Sequence, residues 1–124
     1  LRTQRQGSLA EQAALEYLCG EGMRLLCRNF SCKLGEIDLI MSHRSQLQPR
    51  ILVFVEVRYR QSADYGGAAA SVTRTKRTKI IRTAKRFLQQ HPRYAAWPCR
   101  FDVVAVTGQP TALNINWLHS AFDG

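Results

Sequence analysis

No apolar run in this sequence is longer than five residues, at 51–55. Crossing a bilayer takes ~20, so a membrane-spanning helix is excluded. No signal-peptide pattern is visible, and a cytoplasmic location is expected. Cysteine is sparse and poorly spaced for metal binding: Cys19, Cys27, Cys32 and Cys99 form no C-x-x-C pair and have no H-x-x-x-H partner. Zinc sites usually draw on close ligand pairs, so free thiols in a reducing compartment are the simpler reading. The Walker G-K-[ST], the dinucleotide G-x-G-x-x-G and any base-reading helix-turn-helix or zinc finger are all missing. His43, His91 and His119 build no nucleophilic triad and read as surface residues.

Acid is also in short supply. Nine Asp and Glu stand against 18 Lys and Arg, a formal net charge of +9 on 124 residues. Hydrophobic residues at 45% and charged residues at 22% describe an ordinary globular chain rather than a disordered one. The length suits a single domain over 1–124. Its charge points to anionic partners.

Residues 8–20 set Ala10, Ala13, Ala14, Tyr17 and Leu18 at helical spacing, with Gly20 and Gly22 available to end the helix. Ser8-x-x-Glu11 reads as a capping box at its start. Segments 23–30 and 35–42 are β-rich and suggest a hairpin, and 51–60 is the strongest strand, apolar on both faces at its start. A small-residue loop, YGGAAAS at 65–71, reads as a rim admitting a substrate, and precedes a helix over 73–90 that Pro92 ends. Residues 100–108 form another buried strand and 112–118 an edge strand. The order is α, β, β, β, α, β with a further β, an α/β fold with a mixed sheet and helices on both sides.

Charges stand where a core strand should be apolar. Alternation puts Glu36, Asp38 and Ile40 on one face of the second strand, and Leu52, Phe54, Glu56 and Arg58 on one face of the third. A carboxylate buried among Leu, Ile, Phe and Val costs several kcal/mol unless it is paired or binds a metal. Hairpin-related strands would bring Asp38 and Glu56 together, where a divalent cation with oxygen ligands, Mg²⁺ or Mn²⁺, removes their repulsion. The competing reading pairs both acids with Arg58, Arg60 or Arg100 in structural salt bridges.

The positive charge is concentrated. Arg74, Lys76, Arg77, Lys79, Arg82, Lys85 and Arg86 fall within one helix, and no acid lies between Asp64 and Asp102. Ile80, Ile81, Ala84, Phe87 and Leu88 form its apolar sector, with Arg74, Lys79, Arg82, Lys85 and Arg86 opposite. Without i,i+4 acids these cations repel, which favours a phosphate-bearing partner over a merely solvated face or an anionic membrane. Lys76 and Arg77, in the first turn, reach towards the sheet. Tyr59, Tyr65 and Trp97 are candidates for base stacking, although packing is the commoner role of such aromatics.

The blocks G-E-I-D-L-I at 35–40 and F-V-E-V-R at 54–58, then the basic helix and R-F-D-V-V at 100–104, resemble the YraN family of small bacterial proteins. That family is similar to archaeal Holliday-junction resolvases within the PD-(D/E)XK nuclease superfamily. The resemblance spans about residues 7–106 and implies a restriction-endonuclease-like αβββαβ core. It implies that Asp38 is the first catalytic aspartate and Glu56 the glutamate of E-x-K. Both would ligate Mg²⁺ or Mn²⁺, together with the backbone carbonyl of Val57. Glu11 stands where resolvase-like members carry a further metal-linked acid, against its capping reading, and Glu36 is assigned no ligand role.

Arg58 stands in the place of the superfamily lysine. A guanidinium has a pKa above ~12 and no spare lone pair, so it is no general base, though it can stabilise phosphate charge. The resemblance implies an endonuclease on branched or structured DNA, with Arg74, Lys76, Arg77, Lys79 and Arg82 on the nucleic acid. Fold analogy implies a two-fold dimer. The alternatives are a nuclease fold that binds nucleic acid with weakened catalysis, and a module whose basic face meets an acidic protein.

Overall fold

The computed structural model describes residues 2–44, 50–60 and 72–124, so the small-residue loop at 65–71, Tyr65 included, lies outside the described residues. Helix α1 (Arg2–Gly20) leads into strands β1 (Arg24–Cys32), β2 (Gly35–His43) and β3 (Ile51–Arg60). Helix α2 (Arg74–Gln90) and a short 3₁₀ turn (Pro92–Tyr94) follow, then β4 (Cys99–Gln109) and β5 (Ala112–Phe122). The strands lie in chain order, β1-β2-β3-β4-β5. All neighbours are antiparallel except β3 and β4, which are parallel and joined through α2. Neighbouring parallel strands need such a crossover. The expected α/β class and mixed sheet are thus what the chain forms.

The two helices cover opposite faces of the sheet. Along β3, Leu52 and Phe54 join the core under α2, while Val53 and Val55 join the core under α1. In β4, Phe101 and Val103 face α2, and Val104 and Val106 face α1. Period-two alternation requires this in a sheet buried on both sides. The α1 layer is thin: Ala10 and Ala14 let the helix backbone approach, and Leu18 fills the remaining space. The α2 layer is aromatic, with Phe87 edge-on to Phe30 and Phe54 and stacked on Tyr94. Each such buried side chain contributes ~1.5–3 kcal/mol.

Helix α2 starts where Thr73 accepts a hydrogen bond from the Lys76 N–H at 3.2 Å, and it ends before Pro92. Its buried residues are Ile80, Thr83, Ala84 and Phe87, close to the apolar sector read from the sequence. Helix α1 begins at Arg2, six residues before the expected start. Ser8 and Glu11 therefore lie inside the helix, and the capping box is not formed: the N–H groups it would satisfy already bond to preceding carbonyls.

Alternation fails beside the acids, as it does at the bulges in β1 and between β4 and β5. Ile37 and Ile40 face α2 while Leu39 and Met41 face α1, so β2 slips phase around Asp38. Opposite it, Asn29 takes a positive φ of 56°, and the β1–β2 pairing passes from Arg28↔Leu39 to Phe30↔Ile37 in unchanged register. The β2–β3 ladder ends at Leu39↔Val55. The strands fork at this point.

Candidate active site

The next residues at the fork are Asp38 on β2 and Glu56 on β3. Within a strand, one residue's N–H and C=O point to the same edge. Val57 donates its N–H to Asp38 Oδ2 at 2.8 Å, so its carbonyl also points into the gap that β2 has left. The carboxyl of Asp38 here replaces a backbone acceptor in the ladder.

Asp38 and Glu56 do meet, but not by sharing one face. Glu56 continues the α2 face of β3 and is 6% exposed. Lys76 Nζ from the first turn of α2 lies 2.8 Å from its Oε2, and Arg58 Nη1 lies 3.7 Å away. Asp38 lines a cavity of about 560 Å³ on the α1 side, with Glu11, Arg28, Glu36, Val57 and Tyr59 among its walls. The expectation that Asp38 and Ile40 share a face is corrected by the slip in β2: Ile40 turns under α2.

Burial, the Glu56 charge and a hydrogen bond that protonated Asp38 donates to Glu56 raise the Asp38 carboxyl from 3.8 to about 8, against the opposing Val57 N–H, with Glu11 adding a smaller push. Two acids forced together in a low-dielectric fork cannot both ionise without a counter-charge. Of the arginines expected as their structural partners, Arg58 is found beside Glu56, but Arg100 is committed elsewhere.

Glu11 reaches the same cavity and is held there. Arg28 donates from Nε to Glu11 Oε1 at 2.7 Å and from Nη1 to Gln12 Oε1 at 2.9 Å. Among the described residues no group of three or more His, Cys, Asp or Glu converges as a metal cluster. The available donor set is two carboxylates and one strand carbonyl. Tyr59 is fixed by its hydroxyl, which donates to the Gly108 carbonyl at 2.8 Å, so it serves packing in the wall.

The basic helix divides into two groups. Lys76 turns inward to Glu56, and Arg77 donates Nε to the Val72 carbonyl at 2.9 Å with its guanidinium over the Phe122 ring. Arg74, Lys79 and Arg82 are exposed. Arg82, Lys85 and Arg86 line a groove of about 680 Å³ with Cys32, Lys33 and Leu34 of the β1–β2 hairpin. The hairpin packs there because Gly35 has no side chain: a Cβ would come within 3.0 Å of Thr83 Oγ1.

One acid escaped the sequence reading. Asp102 is fully buried on β4 and accepts from Arg100 Nε at 2.9 Å, Trp117 Nε1 at 2.9 Å and the Ser120 N–H at 3.0 Å. The signal was the same as for Asp38 and Glu56, a lone acid in an apolar strand, RFDVVAV. His43, expected in a loop, ends β2 and lies 3.2 Å from Arg100 Nη2 through Nδ1. Burial and the Arg100 charge lower its imidazole from 6.5, so the ring is available as an acceptor.

These features define an α/β fold with an acid pair at a strand fork beside a cationic helix. The chain belongs to the uncharacterised protein family UPF0102, whose model matches residues 10–106. It is 48% identical over 121 residues to a UPF0102 protein of Stutzerimonas stutzeri, covering 98% of this chain and 97% of the relative. It is 51% identical over 116 residues to one of Saccharophagus degradans, covering 94% and 91%. No helix among the described residues is long and apolar enough to cross a membrane.

Proposed function

We propose that this protein is a metal-dependent endonuclease that hydrolyses phosphodiester bonds in branched or structured DNA, in the manner of the PD-(D/E)XK resolvases its sequence blocks resemble. The observation that carries the reading is the forced meeting of Asp38 and Glu56 at the β2–β3 fork, against the root of an acid-free cationic helix. A site built only for stability would not place two carboxylates within hydrogen-bonding reach of each other.

The residues fit Mg²⁺ or Mn²⁺. Magnesium keeps several waters and commonly uses only one or two protein carboxylates, so Asp38, Glu56 and the Val57 carbonyl suffice. Bound there, the metal would supply an acidified water and polarise the scissile phosphate. The chain's own groups do the rest. Lys76 brings an ammonium to Glu56, a charge of the type that the Arg58 position lacks. Arg58 adds a fixed positive charge for the phosphate oxygens. Arg28 holds Glu11 in the cavity wall, where Glu11 orients water rather than capping a helix. Arg74, Lys79 and Arg82 bind backbone phosphates, so selection rests on substrate shape rather than base sequence. DNA as substrate accords with a cytoplasmic location.

The test is incubation with four-way, flapped and linear DNA in Mg²⁺ or Mn²⁺. Structure-selective cleavage that Asp38→Asn and Glu56→Gln abolish is the expected result. Absence of cleavage on every substrate, or cleavage these variants leave intact, would falsify it. A second reading has its own observation: Lys76 and Arg58 partly neutralise Glu56 without any metal. In that case the fold binds nucleic acid without cutting it, and salt-sensitive DNA binding survives Asp38→Asn unchanged.

A further inference from the structure

At the other end of β2 lies a second cationic feature. A cavity of about 380 Å³ is lined by Arg24 at the start of β1, Arg44 after β2, Arg50 before β3 and Arg93 in the 3₁₀ turn, with Tyr94 and Trp97. All four arginines are exposed at the rim, and among the described residues none has a carboxylate partner. The sequence joining Arg44 to Arg50, SQLQP, also contains no acid.

Two of the guanidiniums are oriented by aromatic rings. Arg50 lies over Trp97 at 5.6 Å from the ring centroid, and Arg93 over Tyr94 at 5.1 Å. Tyr94 is itself buried and edge-on to Trp97 at 4.8 Å, which makes the platform rigid. Stacking holds a guanidinium plane without using its N–H donors, leaving the fork free for a phosphate. Four like charges around one small concavity repel one another, and an anion relieves them all at once. The volume lies at the small end of ligand cavities, enough for one strand's phosphates and not for a duplex.

We propose that this pocket is a phosphate-binding site for one strand of a nucleic acid, separate from the α2 face. Asp38 and Arg44 are six residues apart along the strand direction, roughly 20 Å at ~3.3 Å per residue. The pocket's Tyr94 and Trp97 belong to the α2-side core, whereas the Asp38 cavity opens on the α1 side, so the two sites engage different segments of a substrate. The site gives a branched substrate a second hold for a strand leaving the junction. Binding here does not depend on cleavage at Asp38 and Glu56.

Fluorescein-labelled (dT)₁₂ in EDTA tests this without metal or hydrolysis. The Arg24→Ala/Arg93→Ala double variant is expected to bind about tenfold more weakly, with the slope of log K against log salt reduced by about 1.4, two contacts at ~0.7 each. Arg24→Lys/Arg93→Lys should keep the slope while losing affinity, because the fork is lost and the charge kept. Both side chains are exposed, and thermal melts confirm that the variants fold. A weakening under threefold in the double alanine variant overturns the proposal. So does binding lost only on Arg82→Ala/Lys85→Ala, or Arg24- and Arg93-dependent capture of phosphatidylglycerol vesicles without capture of (dT)₁₂.

Discussion

Asp102 and Asp38 are both carboxylates on strands whose other side chains are largely apolar, and their surroundings differ in kind. Asp102 is closed off: a guanidinium, an indole N–H and a backbone N–H fill its acceptor sites. Asp38 has one backbone donor and, facing it, a second acid. Both tolerate burial, but only the first is satisfied by the chain alone. A buried acid with a complete set of donors holds the fold together, whereas a buried acid facing another acid holds a place for something else.

Breaking each side of the contrast should give opposite signs. Asp102→Ala leaves the partly buried Arg100 without its partner and strands the Trp117 and Ser120 donors, so it should cost about 3 kcal/mol in urea unfolding. Asp38→Asn should leave the fold intact and abolish cleavage, by ~10²–10³-fold or more in single-turnover rate, about 3–4 kcal/mol in the barrier. A DNA-cutting protein indifferent to Asp38→Asn would remove the distinction between the two acids.

The pH dependence sharpens the contrast. Asp38 is held near 8 in the fold against 3.8 as its ordinary value, so between these the native state binds the extra proton. Stability from this group is therefore complete below about 3.8, declines as pH rises and is gone above about 8. Without divalent metal, Asp38→Asn should melt several degrees above wild type at pH 8 and with little difference near pH 4. Mg²⁺ or Mn²⁺ at pH 8 should raise the wild-type midpoint and not that of the variant, by linkage of binding to folding. The smallest effect is expected at Lys76→Ala, about tenfold in cleavage with thermal stability nearly unchanged, because the ammonium is half-exposed. Equal loss of stability and activity there would make Lys76 a structural residue.

Much of this could be read from the residues. The order of elements, the start of β3 at Ile51 and the apolar sector of α2 followed from periodicity. So did the meeting of two acids, because a carboxylate inside an apolar run such as GEIDLI or FVEV must find a partner once it is buried. What alternation could not supply was the slip at Asp38, which goes with the positive φ of Asn29 opposite it on a different strand. Alternation assumes an unbroken pleat, and a strand's phase is set partly by its neighbour. The capping box misled for a related reason: Ser-x-x-Glu marks a helix start only when the preceding residues are not themselves helical, and RTQRQG is. The inward turn of Lys76 was legible as reach from the first helical turn, while its partner was not.

Strand β5 bears on where this domain should be considered to end. The match to the family model stops at residue 106, within β4, although relatives align across nearly the whole chain. Trp117 and Ser120 lie beyond that limit, and they close the Asp102 network. An expression boundary drawn at the edge of the match would cut β4 short, bare its outer edge and leave an interior carboxylate to Arg100 alone. The shortest unit worth producing runs at least through Phe122, where β5 finishes against Phe101.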